Sequence, residues 1–80
     1  MSMQFEDLCN IFCEVMDMKK DKITKETRII KDIKADSLDV YRVFILIEEK
    51  FQINMEEIDY TDIETIGDLW EIIEGLNETA

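Results

Sequence analysis

Apolar side chains recur at the spacing of an α-helix in three separate stretches of this sequence. In the first stretch they follow the i, i+3, i+4, i+7 pattern that places residues on one helix face: Phe5, Leu8, Cys9, Phe12, Val15 and Met16. The 80 residues include no proline and only two glycines, so little in the chain interrupts a helix. These features predict one all-α domain over residues 1–80.

The first helix is expected to run from about Ser2 to Asp17. The charged stretch that follows, Met18 to Ala35, has apolar residues without a helical period and is expected to form a long loop. Four isoleucines are expected to pin this loop to the core: Ile23, Ile29, Ile30 and Ile33. A loop of this length in a small domain is more often functional than idle.

Two further helices and one short helical turn are expected after the loop. The second helix should begin at Ser37 and end near Phe51, and the short turn should lie around Glu56 to Tyr60. Thr65 is a suitable cap for the last helix, with Asp68 three residues later. The inner face of that helix is predicted to consist of Ile66, Leu69, Ile73 and Leu76. The predicted architecture is a small four-helix bundle of three principal helices and one short helix, with a long loop between helices 1 and 2.

The charge is strongly negative and unevenly distributed. Twenty acidic and nine basic side chains give a formal net charge of −11. Seven of the nine basic residues lie between Lys19 and Lys34, and nine acidic residues but no basic one follow Lys50. Binding to nucleic acid needs clustered Lys and Arg, so the balance argues against a nucleic-acid partner and favours partners with basic surfaces.

The two cysteines are expected to be reduced packing residues. Cys9 falls on the apolar face of the first helix and Cys13 at its margin, and the chain has no histidine with which they could bind zinc. The longest unbroken apolar run, Val43 to Ile47, is far too short to span a membrane. We therefore expect a cytoplasmic monomer with no metal and no membrane partner.

The second helix has two apolar stripes. At about 100° per residue, one stripe consists of Val40, Val43, Phe44, Ile47 and Phe51 and is expected to enter the core. The opposite stripe consists of Leu38, Tyr41 and Ile45, flanked by Arg42, Glu48 and Glu49. This second stripe is either covered by the long loop or exposed as a docking surface rimmed with charge.

Ser37 stands at the first turn of the second helix, after Asp36, which can cap the helix, and two residues before Asp39. Backbone N–H groups there have no partner within the helix, so a phosphate ester on the Ser37 hydroxyl would meet donors and a favourable helix dipole. A serine at a helix start is, taken alone, usually a cap or a solvated residue. A Ser-His-Asp nucleophile is excluded because the chain has no histidine, and nothing indicates an enzyme.

A longer pattern around Ser37 resembles the acyl carrier proteins. It consists of Asp32-Ile33-Lys34-Ala35-Asp36-Ser37-Leu38-Asp39 followed by Val43-Phe44-Ile45-Leu46-Ile47-Glu48-Glu49-Lys50-Phe51. In that family an Asp-Ser-Leu motif opens the second helix and an acidic run before a phenylalanine closes it. The resemblance covers about Phe5 to Leu76, nearly the whole chain.

The resemblance implies that a phosphopantetheinyl transferase moves a 4'-phosphopantetheine arm from coenzyme A onto Ser37, flanked by Asp36 and Leu38. The thiol of the arm would hold acyl groups as thioesters for fatty-acid or polyketide biosynthetic enzymes with basic docking surfaces. The residues that would contact those partners are Tyr41, Arg42, Ile45, Glu48 and Glu49, together with Asp36 and Leu38.

Three residues depart from the family pattern. Lys34 stands where these carriers usually have glycine, Arg42 where the bacterial fatty-acid carriers usually have an acidic residue, and Tyr60 in place of a small residue beside the cavity that shelters acyl chains. A specialised aminoacyl or peptidyl carrier remains an alternative, as does an acidic interaction or inhibitor protein with no prosthetic group. A calcium sensor is excluded because no segment alternates acidic or amide residues ahead of a glycine.

Overall fold

The computed structural model describes residues 4–19 and 23–79 and confirms the all-α architecture. Three helices, α1 (Phe5–Met16), α2 (Ser37–Phe51) and α3 (Ile66–Thr79), are joined by a long loop and by a segment that contains a short 3₁₀ turn, Tyr60–Asp62. The expected start of the first helix at Ser2 lies outside the described residues. The second helix has the bounds that its sequence predicts.

The core forms where the apolar faces of the three helices meet, with α1 packed against α2. The helix residues that are buried in it are Leu8, Cys9, Ile11, Phe12, Val40, Val43, Ile47, Ile66, Leu69, Trp70 and Ile73. Burial of one large aliphatic side chain contributes about 1.5–3 kcal/mol, so this cluster is the main source of stability. Cys9 is buried and Cys13 half-buried against the core, which agrees with the predicted packing role of both residues.

An aromatic cluster lies at one edge of this core. The buried Trp70 ring meets Phe5 edge-on at 5.8 Å between ring centroids and Phe51 at 6.4 Å. Edge-to-face pairs of this kind stabilise beyond the area that they bury. The cluster joins the beginning of α1, the end of α2 and the body of α3.

The short helix lies later in the chain than the sequence indicates. Residues 56 and 57 form a turn, in which the Asn54 side chain accepts the N–H of Glu56 at 2.8 Å, and the 3₁₀ turn begins only at Tyr60. Asp59 sets that start, because its carboxylate accepts both the N–H and the hydroxyl of Thr61. The expected range, Glu56 to Tyr60, is therefore wrong by several residues. The side-chain hydrogen bonds of Asp59 therefore determine where the short helix begins.

The long loop between α1 and α2 is anchored by fewer isoleucines than expected. Ile23 and Ile29 are buried and Ile33 is half-buried, but the side chain of Ile30 is 46% exposed. The prediction that Ile30 pins the loop is wrong, because this residue lies in the turn at residues 29–32 and remains nearly half exposed to water.

Backbone hydrogen bonds tie the loop to the beginning of α3. The N–H of Ile29 donates to the Glu64 carbonyl at 3.0 Å, that of Ile66 to the Thr27 carbonyl at 2.9 Å, and that of Gly67 to the Lys25 carbonyl at 2.9 Å. Arg28 and Thr65 form an isolated antiparallel bridge in the same place. The contact is so close that a Cβ at position 67 would lie 2.8 Å from the Lys25 carbonyl oxygen. Main-chain pairing thus anchors the loop in addition to its buried isoleucine side chains.

The N-terminus of α3 has the predicted pair of caps. The Thr65 hydroxyl accepts the N–H of Asp68, and the Asp68 carboxylate accepts the N–H groups of Thr65 and Glu64. These backbone bonds to Thr65 and Glu64 lower the pKa of Asp68 below its ordinary value. The reciprocal arrangement fixes the point at which the chain turns into the helix.

Three residues other than glycine adopt left-handed backbone conformations. Asp17 (φ 52°) and Gln52 (φ 58°) end α1 and α2, and Lys34 (φ 64°) lies three residues before Ser37. A Cβ in this region costs about 1–2 kcal/mol, which glycine avoids. The backbone at Lys34 therefore has the geometry that suits the family's usual glycine, although a lysine occupies it.

We expect Gly67→Ala to lower the free energy of unfolding by about 1–3 kcal/mol, because the added methyl group forces the loop backbone away from α3. Gly75→Ala is the matched control: no atom lies within 4 Å of a Cβ at that position, so the better helix former should raise stability by up to about 1 kcal/mol. Urea denaturation of both variants measures the difference. Equal effects at the two positions would contradict the close approach at Gly67.

We expect Lys34→Gly to raise the free energy of unfolding by about 0.5–1 kcal/mol, because relief of the left-handed strain exceeds the added freedom of the unfolded chain. Lys34→Ala removes the same charge but retains a Cβ, and so should not reproduce the gain. Thermal and urea unfolding of the two variants separate conformation from charge. Identical stabilities for the glycine and alanine variants would refute the strain at this position.

Candidate functional site

A reciprocal pair of hydrogen bonds determines where α2 begins. Asp36 precedes the helix in an extended conformation, and its carboxylate accepts the N–H of Asp39 at 2.9 Å. The carboxylate of Asp39 accepts the N–H of Asp36 at 3.2 Å. This capping box confirms the predicted role of both aspartates. It makes Ser37 the first residue of the helix.

Ser37 is exposed, and within the described part of the chain its hydroxyl has no hydrogen-bond partner. The N–H groups of Ser37 and Leu38 are also unused by the helix, because intrahelical bonding starts with the N–H of Val40 to the Asp36 carbonyl. Unpaired N–H groups and the positive end of the helix dipole favour an anion. The surroundings therefore suit a phosphodiester on this hydroxyl, and solvent gives a tether an open path away from the protein.

An open groove of about 410 Å³ begins at Ser37 and follows α2. Its α2 wall consists of Ser37, Val40, Tyr41, Phe44, Ile45 and Glu48. Its opposite wall comes from the segment that follows α2: Met55, Glu56, Ile58 and Tyr60. At its far end the Glu48 carboxylate accepts the N–H of Met55 at 2.9 Å, which joins the two walls. The volume is that of a site for a small organic group.

A second, much smaller space lies next to the groove at the edge of the core, where the exposed Ile30 and Tyr60 border it. It measures about 10 Å³, at or below the volume needed for a single water molecule. The residues that surround it come from all three helices, the loop and the 3₁₀ turn: Phe12, Ile29, Ile30, Val40, Val43, Phe44, Tyr60, Ile63 and Leu69. Tyr60, one of the three departures from the family pattern, borders both spaces.

The second apolar stripe of α2 is exposed. Leu38 is 72% exposed, Tyr41 64% and Ile45 38%, so the alternative in which the long loop covers these residues is wrong. Because the loop is drawn toward α3 by its backbone hydrogen bonds, it does not lie over this side of α2. We call the surface formed by this stripe, together with Arg42 and Glu49, the outer face of α2.

The charged residues expected beside the stripe occupy different environments. Arg42 and Glu49 are exposed, whereas Glu48 is half-buried and engaged with the Met55 N–H. Arg42 makes no ion pair within the described residues. The structure thus brings Leu38, Tyr41, Arg42, Ile45 and Glu49 to one surface and places Glu48 at its border, in the groove.

Perturbed carboxyl groups lie away from Ser37 and have structural causes. The pKa of Asp32 is lowered chiefly by the N–H of Arg28, and that of Asp59 by the N–H of Thr61. Each carboxylate stabilises a turn in this way. The described residues hold no cluster of three acidic, cysteine or histidine side chains that could bind a metal ion. None of the helices in that part of the chain is long and apolar enough to cross a membrane.

In the far wall of the groove, sequence reasoning singled out Tyr60 but assigned no role to Met55, Glu56 and Ile58. Met55 and Ile58 stand three residues apart, and the buried Met55 follows Glu48 by seven residues across the end of α2. Helical periodicity does not relate the two walls, because α2 ends at Phe51 and the chain changes direction at the left-handed Gln52 between them. The only sequence signal was the isolated apolar residues themselves.

Comparison with known proteins agrees with this geometry. A family model described as "Phosphopantetheine attachment site" matches residues 6–73. The chain is 38% identical over 65 residues to a protein of Borreliella burgdorferi named "Acyl carrier protein", with 81% of each chain covered. It is 31% identical over 70 residues to the protein of that name from Wolinella succinogenes, covering 88% of this chain and 92% of the relative. A Sulfurovum protein of the same name is 31% identical over 72 residues, with 90% and 96% covered.

Two observations lead to one assignment. Ser37 is exposed at the start of α2 beside an open groove, and the family model matches most of the chain. The chain belongs to the acyl carrier protein family, whose members bear phosphopantetheine and carry acyl groups rather than catalyse reactions.

Proposed function

We propose that Ser37 is the residue to which the 4'-phosphopantetheine arm is attached. The observation that carries this proposal is the exposed, unpartnered Ser37 hydroxyl at the first turn of α2, where a groove begins. Asp36 holds the helix start in place through Asp39, and Leu38 contributes an unused N–H beside the hydroxyl. Family membership supplies the prosthetic group, and this geometry supports the choice of serine.

The attachment reaction is a phosphoryl transfer in which this chain acts as the acceptor substrate. The Ser37 oxygen forms a bond to the phosphorus of coenzyme A that bears the pantetheine, and the diphosphate bond on the other side of that phosphorus breaks. Adenosine 3',5'-bisphosphate leaves, and the hydroxyl proton passes to the phosphopantetheinyl transferase. This chain contributes an accessible oxygen and the N–H groups that receive the resulting phosphodiester.

We propose that the carrier holds acyl intermediates as thioesters on the arm and delivers them to fatty-acid or polyketide biosynthetic enzymes. The outer face of α2 is the surface on which these enzymes dock, with apolar contacts to Leu38, Tyr41 and Ile45. Arg42, Glu48 and Glu49 set the charge around those contacts. A net charge of −11 favours partners whose docking surfaces are basic.

The exposed stripe favours a carrier over an acidic inhibitor without a prosthetic group. An inhibitor that blocks a basic surface through charge alone has no need for three exposed apolar side chains, each more than a third accessible. We further propose that residues 1–80 act as one carrier domain, as a monomer in the cytoplasm. Neither nucleic acid nor membrane is expected among its partners.

We expect Ser37→Ala to abolish loading of the arm. Incubation with coenzyme A and a broad-range phosphopantetheinyl transferase should add the mass of one phosphopantetheine to the unaltered chain and none to the variant, as measured by intact-mass spectrometry. Stability should change by no more than about 0.5 kcal/mol, because an exposed side chain without partners is shortened. Ser2, the only other serine in the sequence, provides the control: Ser2→Ala should load fully. Attachment of phosphopantetheine to the Ser37 variant would contradict the proposal.

We expect Ile45→Glu to lower the kcat/KM of an acyltransferase acting on the loaded carrier by about tenfold or more, because a charge replaces an apolar contact at the centre of the outer face. Loading by a tolerant transferase should still reach completion. Ile45→Leu keeps the apolar surface and should retain most of the activity. Unchanged kcat/KM values for the glutamate variant with every acyltransferase tried would remove the docking role of this face.

A further inference from the structure

Three residues separate the groove on the surface from the small space at the edge of the core. Val40, Phe44 and Tyr60 line both of them, so each contributes one side to the groove and another to the core. Val40 and Phe44 belong to α2, where the backbone is held by the helix. Tyr60 comes from the opposite wall and completes the partition.

The backbone holds Tyr60 in this position. Its carbonyl accepts the N–H of Ile63 at 3.1 Å, and Ile63 is buried in the core. Asp59 caps the same 3₁₀ turn through two bonds to Thr61. The Tyr60 side chain is 39% exposed, as expected for a ring with one side toward the groove and the other toward the core.

The two spaces differ greatly in what they can hold. The core space, at about 10 Å³, has no room for a hydrocarbon chain, whereas the groove of about 410 Å³ has room for a small organic group and begins at Ser37. An acyl chain attached through Ser37 can enter the groove without moving any core residue. Entry into the core would require the Tyr60 or Phe44 ring to be displaced.

We propose that Tyr60 closes the core to the cargo, so that this carrier binds a short acyl chain in its surface groove and leaves the remainder of a long chain in water. This inference rests on the proposed attachment at Ser37. Tyr60 is thus a specificity-determining residue, and the size of the side chain at this position decides whether the carrier can enclose its cargo.

The experiment uses the full chain loaded by a broad-range transferase with butyryl-, octanoyl- or dodecanoyl-coenzyme A, with loading verified by intact mass. In the unaltered chain we expect the octanoyl and dodecanoyl forms to melt within about 1 °C of each other, since the additional carbons stay in water. In Tyr60→Ala the dodecanoyl form should melt about 4 °C or more above the butyryl form, because the opened core buries additional carbons.

Methyl NMR locates the acyl chain directly. In the unaltered protein, butyryl loading should shift the signals of methyl groups that line the groove, namely those of Ile45, Met55 and Ile58. The methyl groups around the core space should remain unshifted even with dodecanoyl: Ile29, Ile63 and Leu69. In Tyr60→Ala, dodecanoyl loading should shift this second group as well. Core shifts in the unaltered protein would overturn the proposal without reference to any variant.

Two further variants control for the loss of a tyrosine. Tyr60→Phe retains the ring and should behave as the unaltered chain does. Tyr41→Ala removes a tyrosine that lines the groove but not the core space, so its melting temperature should remain insensitive to chain length beyond octanoyl. Tyr60→Leu serves as a milder opening if the alanine variant is unfolded. Chain-length dependence in the Tyr41 variant equal to that in the Tyr60 variants would refute a specific role for Tyr60.

The mass measurement separates this proposal from the one on which it rests. If the protein gains no mass from any of the thioesters, the attachment at Ser37 is overturned. If the protein loads fully but the acyl chain enters the core, only the role of Tyr60 is overturned.

Discussion

The second helix has apolar residues on two opposite sides, and the molecule has one core. Val43 and Ile47 are buried in that core, while Leu38 and Tyr41 remain mostly in water. Keeping apolar area exposed forgoes about 25 cal/mol for each Å² that burial would remove from water, so a continuous exposed stripe indicates a surface that is covered at some stage of function. The burial of one stripe determines how α2 is rotated. That rotation sets which residues face the solvent and where the groove runs.

The position of Ser37 depends equally on parts of the chain that are distant from it. The loop after α1 is tied by its backbone to the start of α3, and the N–H of Ala35 donates to the Ile29 carbonyl at 3.2 Å. Ala35 is buried, so the chain arrives at Asp36 from a fixed point in the core. The capping bonds between Asp36 and Asp39 then start the helix. The exposure of one hydroxyl is therefore a consequence of packing on α3 as well as of the local motif.

Charge is distributed unevenly between the loop and α2. Most basic residues lie in the loop, where Arg28 pairs with Asp32 at 3.5 Å, and Lys50 at the end of α2 lies 3.9 Å from Asp7. Such exposed pairs contribute at most about 1 kcal/mol each, so they affect the surface potential more than the stability. Arg42 lies outside the loop, in the middle of the outer face, and makes no ion pair among the described residues. It gives the proposed docking surface a positive charge at its centre.

The sequence alone determined the fold class, the bounds of α2, the start of α3 and the family. It did so through helical periodicity, two capping pairs and the motif around Ser37. The periodicity and the capping pairs succeed because each depends on residues at most four positions apart. The family pattern succeeds because it extends over nearly the whole chain. The segment Glu56–Tyr60 was placed wrongly because Asp59, rather than the apolar pattern, starts the 3₁₀ turn there. The sequence identified two side chains that anchor the loop, the buried Ile23 and Ile29. It could not show the backbone bonds to α3, because every residue except proline carries the groups that make them.

Only the tertiary structure decided between the covered and the exposed stripe and brought Met55 and Ile58 to the groove. It also showed that Tyr60, which the resemblance placed beside a cavity, borders two separate spaces. Each of these depends on how segments far apart in the chain pack together, and packing distances are not encoded in local spacing.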